Sequence, residues 1–395
     1  MSEEPRDDRR RPLSHVRGSE ERFGDPDAAA MLAAAFTVPE SELEAPIRGV
    51  HGLHPYPARL HPSWAKRLLD LVPPGVNVFD PFCGSGTVLV EAQRSGRPAR
   101  GSDVNDVALR IARQRTAIRD ERFLGAFAAT AERVHDNASE RRETRFGALA
   151  RGEKRFPPHV LGPLIALRDE IEKVPDPVLR EALLMAGLSP LLGKFASRPG
   201  RKAPEVGRNA ARSWFLRRCQ QAMDSWREHA SLVPRGTPLP LVERADARET
   251  RVPDHTVGAV ITSPPYPGVY DYVAEQEVRA LWLGGSDWTH QARGDEIGRR
   301  DSHRESWAKS MEAVLIDLRR VTVSGANIFL ITGDGAVRGE SVRVDKVLRT
   351  LIHTRRMPFE RCAMISQVRP HFHGPSREAF ADRERREHLL WLRRR

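Results

Sequence analysis

Val76-Asn77-Val78-Phe79-Asp80-Pro81-Phe82-Cys83-Gly84-Ser85-Gly86-Thr87 is the stretch that decides the fold. A short apolar strand follows the Pro73-Pro74-Gly75 break and runs into a glycine-rich turn, after which the pattern predicts a helix over 87–95. Glycines at 84 and 86 admit φ > 0 and let the backbone approach a ligand closely. The first N–H groups of the helix are free to meet an anion. Ala99 to Asp103 reads as a second strand, and a long helical pattern starts at Val104. Strand, turn, helix and strand in that order make the unit of a doubly wound sheet.

Two acids sharpen this reading. Asp80 ends the first strand, where a carboxylate can meet an ammonium group. Asp103 ends the second, about twenty residues past the glycines, where an acid takes ribose hydroxyls. No GxxxxGK[ST] phosphate loop is present, and position 89 is Leu where a dinucleotide fingerprint has its third glycine. A ligand with a ribose, a carboxylate and an ammonium fits best, and S-adenosylmethionine (AdoMet) has all three.

A second motif, Val260-Ile261-Thr262-Ser263-Pro264-Pro265-Tyr266, ends an apolar run with two prolines. Proline has no N–H to give a sheet, so pairing stops and a rigid loop begins. The Ser263 hydroxyl and nearby carbonyls can then converge on one point, and Tyr266 supplies a flat face for a planar substrate. Tyr270 and Tyr272 either extend that pocket or pack in the core.

Together, DPFCGSGT and TSPPY resemble the AdoMet-dependent amino-methyltransferases of DNA, which modify cytosine N4 or adenine N6. His54-Pro55-Tyr56-Pro57-Ala58-Arg59 resembles a segment that closes over the methionine end of the cofactor in that family. Asp246 matches an acid that faces the cofactor's adenine. The resemblance covers about residues 50–115 and 240–395. It implies a Rossmann-like class I methyltransferase fold, with AdoMet held by Tyr56, Asp80, Phe82, Gly84, Ser85, Gly86, Thr87, Asp103 and Asp246. Ser263, Pro264, Pro265 and Tyr266 would form the catalytic segment. Ser rather than Asp or Asn before the prolines points to N4-methylcytosine. The resemblance also implies a DNA substrate and leaves room for a cognate restriction enzyme as partner. Methylation at cytosine C5 needs a cysteine that typically follows a proline, and none of Cys83, Cys219 and Cys362 does.

Outward from these motifs, residues 1–27 mix six Arg with eight acids and read as a disordered tail. Residues 28–119 form the cofactor half of the methyltransferase domain. Residues 120–238 show apolar residues only at helical spacing and read as a helical insertion, a candidate target-recognition domain. Strand-like segments resume at Pro240, and 239–395 form the catalytic half. Seven strands in all give an α/β fold with one mixed sheet.

Composition sets the outer bounds. The chain has 395 residues, is 39% hydrophobic and 30% charged, and has material for a sizeable core. No run of about 20 apolar residues is present for a membrane span, and no apolar leader follows Met1, so a cytoplasmic protein with no membrane partner is expected. The cysteines form neither a disulfide framework nor a zinc knuckle, and the histidines show no metal spacing, so no metal is expected. Net charge is +11. A GC-rich coding sequence accounts for arginine outnumbering lysine, but the positive surplus itself points to a polyanion. Lys194, Arg198, Arg201, Lys202, Arg208, Arg212, Arg217 and Arg218 stand against one acid, Glu205, in 25 residues, as expected of a surface that tracks DNA phosphates. Two other readings compete: methylation of guanine N2 in RNA, which uses a similar motif pair, and a non-catalytic AdoMet- or DNA-binding module.

Overall fold

The computed structural model describes residues 19–56, 59–141, 155–197, 207, 209–284, 292–369 and 378–395. Ten strands are present among them: β1 (Glu20–Gly24), β2 (Val78–Asp80), β3 (Ala99–Asp103), β4 (Leu241–Arg244), β5 (Val257–Thr262), β6 (Thr322–Gly333), β7 (Gly335–Val337), β8 (Glu340–Val342), β9 (Phe359–Val368) and β10 (Arg386–Arg394). Eight of them make one sheet in the order β1-β9-β10-β6-β5-β2-β3-β4, while β7 and β8 form a separate hairpin. The ladder from β4 through β3, β2 and β5 to β6 is parallel. β10 runs antiparallel to both of its neighbours, β6 and β9. This is the Rossmann-like class I methyltransferase sheet, carrying one strand more than the seven expected.

The extra strand is β1, antiparallel to β9 at the sheet's edge. It lies in the stretch expected to be disordered, of which residues 1–18 fall outside the described residues. All five β1 residues are exposed, so it shows none of the apolar alternation by which a strand is read from sequence. Its backbone hydrogen bonds hold it, and its charged side chains cover an edge that would otherwise invite pairing.

Alternation along the central strands builds two cores. Ala259, Ile261, Phe329 and Ile331 face the helices Pro26–Phe36 and Pro62–Asp70. Val260, Ile328 and Leu330 face the helices Arg304–Val321 and Val344–Thr354. The sheet is thus buried on both faces, as a parallel sheet must be. Caps fix where helices start: Asp25 accepts from the Ala28 N–H at 2.9 Å ahead of Pro26, and Asn105 accepts from the N–H groups of Val107 and Ala108.

Every described element between Glu121 and Leu232 is helical. These helices share one apolar cluster with Val50, Leu53, Val90, Val107 and Ile111 of the cofactor half. They add a third layer rather than a separate lobe. No helix among the described residues is long and apolar enough to cross a membrane.

Candidate active site

A cavity opens at the carboxyl ends of the parallel strands, where the chain's path reverses between β2–β3 and β2–β5. Ligands of open α/β sheets gather at such a switch point. Asp80 comes from the end of β2, Asp103 from the end of β3, Asp246 from just past β4 and Ser263 from just past β5. Of the residues expected to hold the cofactor, Tyr56, Phe82, Gly84, Ser85 and Thr87 also lie on its wall.

The glycine turn is tied to the second acid. One Asp103 carboxylate oxygen accepts the Gly84 N–H and the other the Asn105 N–H, both at 2.9 Å. Gly84 has φ 49°, and a Cβ there would stand 3.5 Å from the Tyr56 ring. Gly86 serves differently. It has φ 83° at the helix start, and a Cβ would come within 2.9 Å of the Ala112 Cβ. Gly86 is not on the cavity wall, so the geometry gives it close packing against a neighbouring helix instead of the expected cofactor contact.

Two carboxyls of the wall are held in low dielectric. Burial pushes Asp80 up to about 7, although the Thr262 hydroxyl (2.6 Å) and the Phe82 N–H (3.1 Å) both donate to it. Burial likewise raises Asp103 to about 6 against its backbone hydrogen bonds. Asp246, Asp295 and Glu296 also face the cavity, and Arg59 is the one basic residue among the described residues that line it. An acidic wall with a single guanidinium suits a ligand carrying an ammonium, a sulfonium and one carboxylate.

Arg115 knits the turn to the segment above it. It is fully buried, and its guanidinium donates to the carbonyl (3.1 Å) and hydroxyl (2.7 Å) of Ser85 and to the carbonyls of His51 (2.8 Å) and His54 (2.7 Å). His54 pairs in turn with the Ser189 hydroxyl at 2.7 Å, which ties the segment to the helical layer.

The SPPY segment divides. Ser263 and Pro265 lie on the cavity wall; Pro264 and Tyr266 do not. The Pro265 carbonyl accepts the Trp307 indole N–H at 3.0 Å. The Tyr266 ring is buried against Gly333, where a Cβ would come within 2.7 Å of it, and its hydroxyl donates to Glu387 at 2.7 Å. It therefore does not present the stacking face expected of it. Tyr272 reaches the wall instead, with its ring 5.4 Å from that of Tyr270.

Asp295 and Glu296 are wall residues that carried no signal in the sequence. Glu296, raised to about 7 chiefly by burial, accepts the Val273 N–H at 3.3 Å. Nothing in its local sequence marks it, because the cavity is completed by a loop far along the chain. Asp246 reaches the wall with both carboxylate oxygens already bound by Arg248.

The basic run is less uniform than its charge implied. Arg198, Arg201, Lys202 and Arg208 lie outside the described residues. Arg218 is bound to the Leu53 and Gly52 carbonyls, and Arg212 donates to the Ala138 carbonyl at 3.1 Å. These two arginines act as internal braces, a correction to the phosphate role expected for them. Lys194 and Arg217 lie over Trp214, 3.9 and 4.9 Å from its ring centroid. Elsewhere, Asp334, Asp345 and His388 cluster closely enough to hold a metal ion. The Arg343 guanidinium already stands 3.2 Å from Asp334 and 3.5 Å from Asp345, supplying the positive charge there.

The family described as RMKL-like, methyltransferase domain (UPF0020) matches residues 53–138. A Type II methyltransferase, M.MvaI of Kocuria varians, is 37% identical over 70 residues, which is 17% of this chain and 15% of that protein's length. Among solved structures, TrmN from Thermus thermophilus aligns at 13% identity with a TM-score of 0.36, covering 89% of this chain and 52% of that one. The rRNA methyltransferase aviRa from Streptomyces viridochromogenes aligns at 13% identity with a TM-score of 0.35, covering 91% and 94%. The family match falls on the HPYPAR segment, the glycine turn and Asp103. Residues 53–138 thus match a methyltransferase domain, and AdoMet is the cofactor.

Proposed function

We propose that this chain is a DNA methyltransferase that transfers the methyl group of AdoMet to the N4 amine of a flipped cytosine. The observation that carries the reading is that Ser263 shares one cavity wall with Asp80, Gly84 and Asp103. The stretch similar to a Type II methyltransferase supports DNA as the substrate.

Bound AdoMet supplies an electrophilic methyl group on a sulfonium. The chain's own residues do the rest. Asp80 takes the ammonium, Arg59 faces the carboxylate, and the remaining lone pairs of Asp103 take the ribose hydroxyls. An exocyclic amine donates its lone pair into the ring and is a poor nucleophile. The Ser263 oxygen, on the cavity wall, accepts from one of its N–H bonds, favours a pyramidal nitrogen and returns the lone pair for attack. Holding nitrogen and methyl in line lowers the barrier further. The base leaves the duplex to reach the cavity, where Tyr272 offers the aromatic face. Cys83 plays no nucleophilic part, since burial raises its thiol well above the usual range.

The test is transfer of a labelled methyl group to duplex DNA, tRNA and rRNA by the wild type and by Ser263→Ala. Transfer to DNA that Ser263→Ala abolishes without loss of DNA affinity is expected. Label found in RNA, with DNA untouched, would overturn the substrate class.

A further inference from the structure

The β7–β8 hairpin stands beside the SPPY loop and ends in a turn that its own side chain does not favour. Val337 pairs with Glu340, so Arg338 and Gly339 alone make the turn. Both have positive φ, 51° and 81°, as in the type I′ turn of two-residue hairpins. Asn, Asp and Gly suit the first of these positions, whereas an arginine there is held under strain. Arg338 occupies it nonetheless, and is exposed.

Two other residues besides glycine have positive φ among the described residues, His255 and Arg356. They precede β5 and β9, at the amino ends of strands that run the same way as β6. Arg338 lies past the carboxyl end of β6, the end at which the cavity opens. The strained arginine is therefore on the side from which a substrate base must come.

The base of the hairpin is fixed against the SPPY loop. A Cβ on Gly335 would run into the Pro267 carbonyl oxygen, and one on Gly268 into the Ala336 carbonyl oxygen. Gly335, Ala336 and Val337 are all buried. At the tip, Nη2 of Arg338 donates to the Asp301 carbonyl at 3.2 Å, on the loop that continues from Ile297 of the cavity wall. The Asp301 carboxylate is itself paired with Arg299, so Arg338 takes only the carbonyl. Nothing lies within 4 Å of where a Gly339 Cβ would stand, so the tip faces open space.

We propose that the β7–β8 hairpin is a DNA contact whose tip sets the Arg338 guanidinium on a backbone phosphate beside the extruded base. The proposal rests on the reading of DNA as substrate given above. A planar guanidinium matches a phosphate with paired donors. Asparagine would meet the turn's geometry without strain, but it brings no cation. Strain at the rim of a site, held by a rigid base, is the mark of a side chain kept for its contact.

Arg338→Asn removes the charge and relieves the turn, so it should melt at or above the wild-type temperature. Its affinity for a fluorescent DNA duplex, read by anisotropy, should fall about three- to tenfold. The log–log salt slope should flatten by roughly 0.9, the value of one lost phosphate contact, while AdoMet affinity stays within about twofold. Arg338→Lys keeps both the cation and the strained turn, and should keep the wild-type slope. Wild-type DNA affinity and slope in Arg338→Asn would overturn the proposal. So would a joint fall in melting temperature and AdoMet affinity, which would make Arg338 a structural residue. Binding needs no turnover: a wild type that binds DNA but methylates none would overturn the proposed function alone, and the variants would still decide the contact. A wild type that binds no DNA would overturn both.

Discussion

Asp80 and Asp103 stand close enough that the charge on Asp103 adds to the burial that raises Asp80. Burial, the larger cause, and that charge together hold the Asp80 proton up to about 7, far above its ordinary 3.8. An ammonium placed beside it favours the ionised form, so binding AdoMet below about pH 7 releases a proton. Affinity should rise with pH up to about 7 and level off above it, and Asp80→Asn should flatten the dependence. Calorimetry in buffers of different ionisation enthalpy measures the proton directly. For folding itself the sign is opposite. A raised carboxyl contributes stability fully present below its unfolded value near 3.8 and lost as pH rises through about 7. Asp103→Ala should weaken AdoMet binding by roughly tenfold or more, through loss of a charged acceptor for the ribose and of the anchor for Gly84. Unchanged affinity in the folded variant would remove Asp103 from the site. At this scale the two acids were legible for different reasons: Asp80 ends an apolar run, whereas Asp103 stands about twenty residues past the glycine turn. Glu296 was not, since nothing local says that its loop folds back across the cavity, and for Tyr272 the sequence left pocket and core equally open. The face shown by Tyr266 was not legible either, because it depends on Glu387, 121 residues away in the chain.

Among the elements, the glycine turn depends on Arg115 more than on its own sequence. One guanidinium satisfies four acceptors from two segments. A lysine ammonium has three donors from a single point and cannot span them. Arg115→Lys should lower both the melting temperature and AdoMet affinity, with the stability loss on the order of 2–4 kcal/mol from stranded buried carbonyls. Thermal melts with and without AdoMet separate the two effects; a variant that melts like the wild type contradicts the brace. The parallel strands and their flanking helices were readable because apolar runs, prolines and caps agree on their limits. β1 was not, since an exposed edge strand is specified by its partner β9 rather than by its own pattern.

For the whole molecule, the helical layer and the cofactor half bury one another through a single apolar cluster. A chain in which 119 is joined to 239 should accordingly fail to melt cooperatively, because Val90, Val107 and Ile111 would lose their cover. A soluble, cooperative, AdoMet-binding product would show the layer to be an independent appendage. Charge along 194–218 was legible as a sum but not as a surface, since which arginines turn inward is decided by neighbouring carbonyls. When Lys194 and Arg217 are replaced by neutral residues, the salt dependence of DNA binding should flatten by roughly 0.9 in log–log slope for each phosphate left without its cation. Arg218→Ala should act mainly on stability. The central claim, methyl transfer to the N4 amine of cytosine at Ser263, is tested most directly by mass spectrometry of nucleosides from unmethylated DNA incubated with the protein and isotopically labelled AdoMet. The expected result is labelled N4-methylcytosine, absent with Ser263→Ala. Labelled N6-methyladenine as the only product, or label confined to RNA, would contradict it.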